Sequence, residues 1–383
     1  MTIHPDCLRS FAYIDPEAIE HNFDRLKSRI GKGVRSLAVL KANAYGHGAV
    51  EVARLLQHKA DYFGVATLEE GVELRRAGIK NPILILSNIH PAGYSILLEH
   101  SLTATVYEKT EAEALSCLAE KSGKRLKVHL AVDTGMGRIG FAPEPSSVET
   151  ICAISKLPYL EIEGIFSHYA CADCEDVDSA KKQTEIFDSF LLLLEQKGVR
   201  FSLRHICNTA ASVGFPAKYD MCRFGIGLYG YAPSEFVDVK DLDLRPAMSV
   251  YSRVIHCKEA KKGFPIGYGH TYVAPAHRKI ATVSIGYADG YNRAFSGKGF
   301  VLIRGKRAPV VGRVCMDIIM VDVSEVESVQ VGDLVTVLGR DGEEMITAED
   351  LGGMVNSFSY EVLCNFMPRV KRVYDKNAWK END

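Results

Sequence analysis

The sequence predicts an α/β protein in two parts, a (β/α)8 TIM barrel over residues 1–245 followed by an all-β domain over residues 246–383. From about residue 35 to residue 225, short apolar segments alternate with helical segments. After about residue 245, strand-like segments follow one another without long helical segments between them. The 383 residues, 47% of them hydrophobic, suffice to bury one large core and a second, smaller one.

Apolar segments with helices between them are the basis for the barrel. Continuous apolar strands that alternate with helices are typical of a parallel sheet buried on both faces. Stretches with apolar residues at helical spacing, such as residues 68–77, 110–119 and 180–194, separate the strands. Eight such units match a closed barrel, and a doubly wound open sheet is the alternative. The predicted strands are residues 37–40, 62–65, 83–86, 103–106, 126–132, 160–166, 203–207 and 221–224.

The second part of the chain predicts a mainly β domain. Arg304, Gly305 and Lys306 stand between two strand-like segments and are typical of a hairpin turn. The polar tail that begins at Tyr374 is expected to fray. The predicted strands of this domain are residues 250–257, 280–285, 300–303, 308–311, 318–323 and 334–338.

Composition argues against several classes of partner. The charged fraction is 25% and the formal net charge is -2, so no strong field favours nucleic acid or an anionic membrane. The first residues lack the apolar core of a signal peptide, and the apolar runs are too short to span a bilayer. We therefore expect a cytoplasmic protein that binds neither nucleic acid nor membrane.

The ten cysteines show no regular spacing. Cys171 and Cys174 form a Cys-x-x-Cys pair, but a metal site would need a second pair or a nearby pair of histidines. We interpret the cysteines as reduced thiols in a reducing compartment and expect no metal. Zinc binding or redox chemistry at Cys171 and Cys174 is the alternative.

Reactive side chains follow several of the predicted barrel strands, at the end where barrels place their catalytic residues. A lysine at the end of an apolar strand is partly desolvated, which lowers its pKa and makes it a candidate imine-forming nucleophile. The residues in question are Lys41 after the first strand, Arg138 after the fifth, His168 after the sixth, Asn208 and Thr209 after the seventh, and Arg223 in the eighth.

The last two loops offer groups that suit a phosphate. Thr209 has a hydroxyl, and Gly225 and Ile226 have backbone amides in a glycine-rich turn. Barrels commonly bind phosphate at these loops, so a lysine facing such a cradle predicts pyridoxal 5'-phosphate. Each residue alone has a plainer interpretation, such as a solvated lysine or a structural histidine. The prediction depends on their all falling at one rim.

The motifs of this chain resemble those of the alanine racemases. The stretch AVLKANAYGHG, residues 38–48, resembles their pyridoxal-phosphate signature. The resemblance continues through VDTGMGRIGF, FSHYACAD, HICNTAAS, RFGIGLYGYAPS, GYGHTY, SIGYADGYNR, PVVGRVCMD and FSYEV, in this order over nearly the whole chain. It implies a barrel joined to a β domain, and a head-to-tail homodimer in which the β domain completes the partner subunit's active site.

The resemblance also implies roles for individual residues. Lys41 matches the lysine that binds the cofactor covalently, and Tyr268 matches the second base, supplied by the partner subunit. Arg223 matches the arginine that bonds the pyridine nitrogen, and His168 the histidine between that arginine and the tyrosine. Matching phosphate ligands are Tyr45, Thr209 (more often Ser in the family), Gly225, Ile226 and Tyr360, with Asn208 also at the cofactor site. Matching substrate-carboxylate contacts are Arg138 and Met316, and matching entrance residues are Asp173, Tyr287, Arg293 and Arg313.

On this resemblance we expect interconversion of L-alanine and D-alanine by two bases, supplying D-alanine for peptidoglycan. Lys41 and Tyr268 are poor bases at neutral pH, with reference pKa values of about 10.4 and 10, so nearby positive charge must assist the tyrosine. A racemase of another amino acid, such as serine, is one alternative. A barrel-type amino-acid decarboxylase and a non-catalytic cofactor carrier are others, and Tyr268 and the β domain argue against them.

One position departs from the family pattern. Many members have a lysine, often carbamylated, two residues before the Asp of the DTGMGR motif, and here that position is Ala131. The negative charge beside Arg138 is then missing, and we hypothesise that an exchangeable anion such as chloride replaces it. A water molecule is an alternative, as is His129, which projects from the same face of the predicted strand.

Overall fold

The computed structural model describes residues 7–216 and 218–375. The chain forms two compact units. Of the described residues, the barrel unit comprises those within Ile19–Ala44 and Ala49–Arg245, and the strand-rich unit comprises those up to Ala18, Tyr45–Gly48 and those from Pro246 onward. Most of the polar tail that was predicted to fray, residues 376–383, lies outside the described ranges. Its first residue, Tyr374, does not fray, because its hydroxyl donates to the carbonyl of His47 at 2.8 Å.

The first strand, β1 (Ser10–Ile14), belongs to the strand-rich unit, and the next eight build the barrel unit. Seven of the eight barrel strands are apolar and buried along most of their length because helices cover their outer faces. The barrel strands are β2 (Arg35–Val39), β3 (Tyr62–Val65), β4 (Ile83–Ile85), β5 (Ala104–Val106), β6 (Leu126–Ala131), β7 (Leu160–Phe166), β8 (Leu203–His205) and β9 (Met221–Phe224).

These eight parallel strands close on themselves. The strands β4, β3, β2 and β9 pair in that order, and β5 to β8 pair in sequence order. A bridge between Leu84 and Thr103 joins the two sets on one side, and the amide of Arg223 donates to the carbonyl of Cys207 at 3.1 Å on the other. The pairing of β9 with β2 excludes the open sheet and confirms the predicted (β/α)8 barrel.

Helices alternate with these strands, and their capping is visible in the sequence. Thr67 and Glu70, for example, form a reciprocal capping box at the start of the helix after β3. The helices of the chain up to Arg245 are Pro16–Ile30, Ala49–Leu56, Leu68–Arg76, Tyr94–Glu99, Lys109–Lys121, Pro145–Ile154, Asp178–Gln196 and Thr209–Gly214. Among the described residues, no helix is long and apolar enough to cross a membrane.

The strand-rich unit is built on one large, mostly antiparallel sheet. The strands after β9 are β10 (Met248–Ala260), β11 (Pro265–Ile266), β12 (Tyr272–Val273), β13 (Arg278–Val283), β14 (Phe300–Ile303), β15 (Lys306–Pro309), β16 (Ile319–Asp322), β17 (Leu334–Asp341), β18 (Glu344–Ile346) and β19 (Lys371–Val373). The main path of the sheet runs β15, β14, β17, β10, β1, β19, while β13 and β16 extend it from β10 and β18 extends it from β17. Two short helices, Ala348–Met354 and Ser359–Asn365, make this unit mainly rather than purely β.

The N-terminal strand corrects the predicted domain limits. The prediction placed residues 1–18 in the barrel, whereas β1 pairs antiparallel with β10 and parallel with β19. Its apolar residues Phe11 and Ile14 are fully buried, and removing their side chains from water stabilises the segment in this sheet. The predicted hairpin is confirmed, because Ile303 pairs with Lys306 and the two turn residues have positive φ angles, as a tight hairpin requires.

Candidate active site

Lys41 lies between the end of the first barrel strand and a left-handed turn of the backbone. The amide of Leu40 still donates to the carbonyl of Gly64, at 2.8 Å. Residues 42–45 then have φ angles between 51° and 54°, a left-handed turn without glycine. Such a turn is sterically unfavourable by about 1–2 kcal/mol per residue, so surrounding contacts must stabilise it. Two of them are the bonds from the amide of Ala44 to the carbonyl of Leu40 and from the amide of Ala49 to Oδ1 of Asn43, both 2.8 Å.

Arg223, in the middle of β9, is a buried cation whose direction is fixed by several acceptors. Its Nη2 donates to the carbonyls of Ser167 and Ile206, at 3.0 and 2.8 Å, and to Nδ1 of His168 at 3.0 Å. Its Nη1 donates to Nδ1 of His205 at 2.8 Å. Burial lowers the pKa of Arg223 to about 10, so the guanidinium keeps its charge at neutral pH.

His168 shows which predicted residues come together at the rim. Burial lowers its pKa well below the ordinary value, and the positive charges of Arg223, Arg138 and Lys41 lower it further. Four residues predicted from three different loops and one strand therefore lie near enough in the barrel unit to interact electrostatically. Because Nδ1 accepts from Arg223 and the ring is neutral, the remaining ring proton is on Nε2.

A chain of buried polar side chains continues from Arg223 into the barrel. Nε2 of His205 lies 2.9 Å from Nδ1 of His129, and Nε2 of His129 lies 3.3 Å from Oε2 of Glu163. Burial lowers the pKa of both histidines, so both rings are neutral. An arginine can only donate and an ionised carboxylate can only accept, so each histidine accepts on Nδ1 and donates from Nε2.

Glu163 ends this chain with a charge. It accepts hydrogen bonds from Nζ of Lys127 and from the hydroxyl of Tyr62, both at 2.6 Å. Burial alone raises the pKa of Glu163, but the hydrogen bonds from His129, Lys127 and Tyr62 outweigh burial and hold it at about 2. The carboxylate is therefore ionised at neutral pH, and its negative charge is linked to Arg223 through two neutral imidazoles.

The sequence prediction missed this chain of side chains. Only His129 had been considered, as a group to fill the space beside Ala131, and in the structure its two ring nitrogens contact His205 and Glu163 instead. Barrel interiors are mostly filled by branched apolar side chains. A polar residue at an inward position of an otherwise apolar strand, such as Glu163 in LEIEGIF, was the available signal.

The predicted phosphate cradle is a compact turn after β9. Oγ1 of Thr209 accepts from the amide of Gly225 at 2.9 Å. A Cβ on Gly227 would lie 2.7 Å from Cγ2 of Thr209, so only glycine permits this approach. Ile226 begins a 3-10 turn, Ile226–Tyr229. Asn208 has a structural task nearby, because its Oδ1 caps the helix Thr209–Gly214 by accepting from the amide of Ala211 at 3.0 Å.

The loop after β6 presents Arg138 to solvent. Oδ1 of Asp133 accepts from the amides of Gly135 and Gly137, both at 3.0 Å, which shapes the loop. Arg138 is exposed in the single chain, whereas Ala131 is buried. Asp173, a predicted entrance residue, is half-buried, and its carbonyl accepts from the hydroxyl of Ser234 at 2.5 Å.

In the strand-rich unit, Tyr268 occupies the turn between β11 and β12. Its side chain is 69% exposed. The glycines on either side, Gly267 and Gly269, have φ angles of 74° and 69°, which favour glycine. The guanidinium of Arg313 packs against Gly269, since a Cβ there would lie 3.4 Å from its central carbon. The predicted second base is thus held on a tight turn with most of its side chain exposed.

Tyr287 and Met316 are brought together by backbone hydrogen bonds. The amide of Tyr287 donates to the carbonyl of Cys315 and the amide of Ala288 to the carbonyl of Met316, both at 3.0 Å. A Cβ on Gly286 would lie 2.4 Å from these carbonyls, so this approach requires glycine. Both side chains are exposed, as is that of Arg293, another predicted entrance residue.

A buried carboxylate, not predicted from the sequence, holds this loop. Asp289 is 1% exposed and accepts from the amide of Gly286 at 2.8 Å. It forms ion pairs with Arg9 and with Nε of Arg369, the latter at 2.9 Å. Nη2 of Arg369 also reaches Oδ1 of Asp317 at 2.7 Å, so the loops of Tyr287 and Met316 share one ionic cluster.

Tyr45 and Tyr360, two predicted phosphate ligands, meet within the strand-rich unit. Their ring centroids are 5.9 Å apart and the rings are tilted. Burial raises the pKa of Tyr45 well above its ordinary value, with a smaller contribution from Tyr360. The hydroxyl of Tyr45 therefore keeps its proton at neutral pH and can donate to an anion.

A closed barrel with a lysine, two arginines and a neutral histidine at one rim, joined in one chain to a strand-rich unit, defines a two-unit (β/α)8-barrel enzyme. Comparison with known families is consistent in both units. The family of alanine racemase N-terminal domains matches residues 14–233, and the family of alanine racemase C-terminal domains matches residues 247–374. The chain belongs to the alanine racemase family, which makes it an isomerase acting on amino acids.

Individual alanine racemases are similar to this chain over nearly its full length. An alanine racemase of Desulforamulus reducens is 46% identical over 366 residues, 95% of this chain and 98% of the relative. One of Methanococcus maripaludis is 43% identical and covers 98% of this chain and 100% of the relative. Among solved structures, an alanine racemase of Clostridium difficile 630 has a TM-score of 0.92 at 38% identity, covering 99% of this chain and 97% of its own.

Proposed function

We propose that this protein interconverts L-alanine and D-alanine with pyridoxal 5'-phosphate and so supplies D-alanine for peptidoglycan. The observation that carries the proposal is the hydrogen bond of 3.0 Å from Nη2 of Arg223 to Nδ1 of His168, whose pKa is lowered further by the charges of Arg138 and Lys41. Such a concentration of positive charge suits a phosphorylated cofactor and a substrate carboxylate. Membership of the alanine racemase family supports alanine as the substrate.

The residues present fit this cofactor. When bound, pyridoxal phosphate supplies an aldehyde for Lys41 and a ring that withdraws electrons from the substrate Cα. Arg223 would face the ring nitrogen, and as a permanent cation it cannot act as its proton donor. The phosphate would be held by side-chain hydroxyls and backbone amides. Its ligands would be Tyr45, Thr209, Gly225, Ile226 and Tyr360, and Asn208 would also belong to the cofactor site.

Two bases on opposite faces of Cα suit a racemase. We assign them to Lys41 and to Tyr268 of the partner subunit in a homodimer with shared active sites. The exposure of Tyr268 in the single chain supports this arrangement. His168 is neutral with its proton on Nε2, and a hydrogen bond donated from there would stabilise an ionised tyrosine.

Arg138 and Met316 would contact the substrate carboxylate. Asp173, Tyr287, Arg293 and Arg313 would line the entrance.

Two measurements test the proposal. The holoenzyme is reduced with borohydride and the modified peptide is mapped, and we expect the cofactor on Lys41. Loss of optical rotation is then followed for a panel of L-amino acids, and we expect alanine to react fastest. A label on another residue would refute the site. Faster racemisation of serine, or release of carbon dioxide, would favour one of the alternative activities.

A further inference from the structure

The carboxylate of Glu70 contacts two separate parts of the barrel backbone. Glu70 is the third residue of the helix Leu68–Arg76, which follows β3. Its Oε2 accepts from the amides of Ala66 and Thr67, at 2.7 and 3.2 Å, and its own amide donates to Oγ1 of Thr67 at 3.3 Å. This is a capping box, and it uses only one of the two carboxylate oxygens.

The other oxygen of Glu70 reaches the residue after Lys41. Oε1 accepts from the amide of Ala42 at 2.7 Å. The strands that precede the two segments, β2 and β3, are adjacent and parallel, with Leu37 opposite Tyr62. The carboxylate therefore joins the end of one barrel strand to the helix that follows the next one.

This contact controls the backbone direction at Lys41. The peptide between Lys41 and Ala42 is planar, so fixing its N–H toward Glu70 fixes the ψ angle of Lys41. On the other side, Leu40 is held through its amide by Gly64 and through its carbonyl by Ala44, both at 2.8 Å. The backbone is thus fixed on both sides of Lys41.

The left-handed turn makes the contact necessary. The hand of the backbone changes at Ala42, and residues 42–45 all have positive φ angles. In this conformation the amide of Ala42 has left the strand ladder, and a charged acceptor is the strongest hydrogen-bond partner available to it. Without that acceptor the turn would lose one of the contacts that offset the steric cost of its left-handed conformation.

We propose that Glu70 is a positioning residue for Lys41. Through the amide of Ala42, it sets the direction in which the lysine side chain leaves the backbone and so stabilises the covalent link between Lys41 and pyridoxal phosphate. The inference rests on the proposed function, since it assumes that Lys41 carries the cofactor.

The test compares three variants of the holoenzyme. E70Q keeps the size of the side chain but loses the charge and one of the two acceptor oxygens. T67A removes the hydroxyl half of the capping box and leaves the contact between Glu70 and Ala42. E69Q removes an equal charge from the first turn of the same helix, at an exposed neighbour. The two controls therefore separate helix capping and helix charge from positioning.

Release of pyridoxal phosphate to hydroxylamine, which traps the free aldehyde, is the main measurement. We expect release from E70Q to be about tenfold faster than from the wild type, the equivalent of one hydrogen bond to a charged group. Release from T67A and E69Q should stay within about twofold, even where their thermal midpoints fall as far as that of E70Q. The pH midpoint of cofactor absorbance should move in E70Q alone.

The outcomes separate this inference from the proposed function. If E70Q and T67A release the cofactor at equal rates, Glu70 only caps its helix and the inference is overturned. If borohydride labels a residue other than Lys41 in the wild type, the proposed function itself fails. Should E70Q not fold, hydrogen exchange of the wild-type holoenzyme decides, because the amide of the exposed Ala42 should exchange as slowly as strand amides. Rapid exchange there would also overturn the inference.

Discussion

Nη1 of Arg223 donates a hydrogen bond to Nδ1 of His205 over 2.8 Å, and both side chains are buried inside the barrel. This contact determines which nitrogen donates and which accepts at each later step of the buried hydrogen-bond chain. Since His205 accepts from Arg223, it must donate to His129, and His129 must donate to Glu163. The ionised carboxylate at the far end therefore maintains the tautomer of the ring that orients Arg223.

The first prediction concerns this carboxylate. Glu163→Gln removes the negative charge to which Lys127, Tyr62 and His129 donate. One of these three donors would then face the NH2 group of the glutamine, which cannot accept its hydrogen bond. We expect the free energy of unfolding to fall by about 2 kcal/mol, as for the loss of a buried hydrogen bond to a charged group. Urea unfolding at pH 7.5 measures this change.

Glu161→Gln is the matched control for Glu163→Gln. Glu161 lies 3.7 Å from the same Lys127, but its side chain is 43% exposed. An exposed ion pair contributes little, so this variant should lose less than about 1 kcal/mol. Equal losses in the free energy of unfolding would contradict the prediction. They would mean that the buried hydrogen bonds of Glu163 stabilise the protein no more than the exposed ion pair between Glu161 and Lys127.

The second prediction is an acid-side loss of stability. Burial lowers the pKa of His129, His168 and His205 below 6.5, so these rings stay neutral in the folded protein while the unfolded chain takes up protons. The unfolded state then binds more protons below about pH 6.5, and the free energy of unfolding decreases as pH falls. The slope reaches about 1.4 kcal/mol per pH unit for each ring.

Urea midpoints at pH 7.5, 6.5 and 5.5 measure this dependence. Glu163 contributes in the same direction but later, since its pKa falls from 4.5 to about 2 on folding and its contribution is lost only below pH 4.5. A midpoint that stays constant down to pH 5.5 would show that the three rings are protonated in the folded state.

The fold was largely predictable because the barrel strands are apolar runs between amphipathic helices. Each predicted barrel strand lies within two residues of an observed one at both ends. The strand β1 was not predicted, because SFAYI stands alone before a helix and its partners β10 and β19 come from the far end of the chain. Pairing over such a separation leaves no local signal in the sequence.

Part of the candidate site could be predicted because side chains near the ends of barrel strands meet at one rim. Lys41, Arg138 and Arg223 lie near enough to His168 for their charges to lower its pKa, while the roles assigned to these residues stay predictions. Glu70 and Asp289 were not found. Their roles depend on which backbone amide a carboxylate reaches, and that depends on turn geometry that the residue types alone do not specify.

The third prediction concerns the shared active site. Lys41→Ala and Tyr268→Ala should each abolish racemisation. After subunit exchange, an equal mixture should recover about a quarter of the wild-type rate, since half of the dimers are then heterodimers with one complete site of two. Racemisation of L-alanine before and after exchange measures the recovery. Persistent inactivity despite exchange demonstrated by mass spectrometry would mean that one chain supplies both bases.

The fourth prediction concerns the anion beside Arg138. Ala131 cannot be carbamylated, so activity should not respond to dissolved carbon dioxide. Chloride should lower the KM for alanine with little effect on kcat, because an anion beside Arg138 orients the guanidinium toward the substrate carboxylate. Steady-state kinetics in chloride and in gluconate, each with and without bicarbonate, test both statements. A crystal structure with a protein carboxylate paired with Arg138 and no anion would contradict the hypothesis.

The fifth prediction uses the hand of the turn after Lys41. Ala42 is exposed and has a φ angle of 53°, a conformation that is unfavourable for alanine. Ala42→Gly removes this steric cost, and the gain offsets the entropy that glycine loses on folding. We expect an unchanged or higher thermal midpoint. Ala114→Gly, at an exposed position inside the helix Lys109–Lys121, should instead cost about 1 kcal/mol. Equal destabilisation by both substitutions would argue against a left-handed turn at Ala42.

The pairing of β2 with β9 has a consequence for synthesis of the protein. Leu37 lies opposite Arg223, so the strand that presents Lys41 needs a neighbour from the last part of the barrel to be translated. During translation, β2 therefore emerges from the ribosome with an open hydrogen-bonding edge and keeps it until β9 has followed. A nascent chain that stalls before Met221 exposes the edges of both β2 and β8. Such a chain is a substrate for chaperones rather than an enzyme that can capture its cofactor.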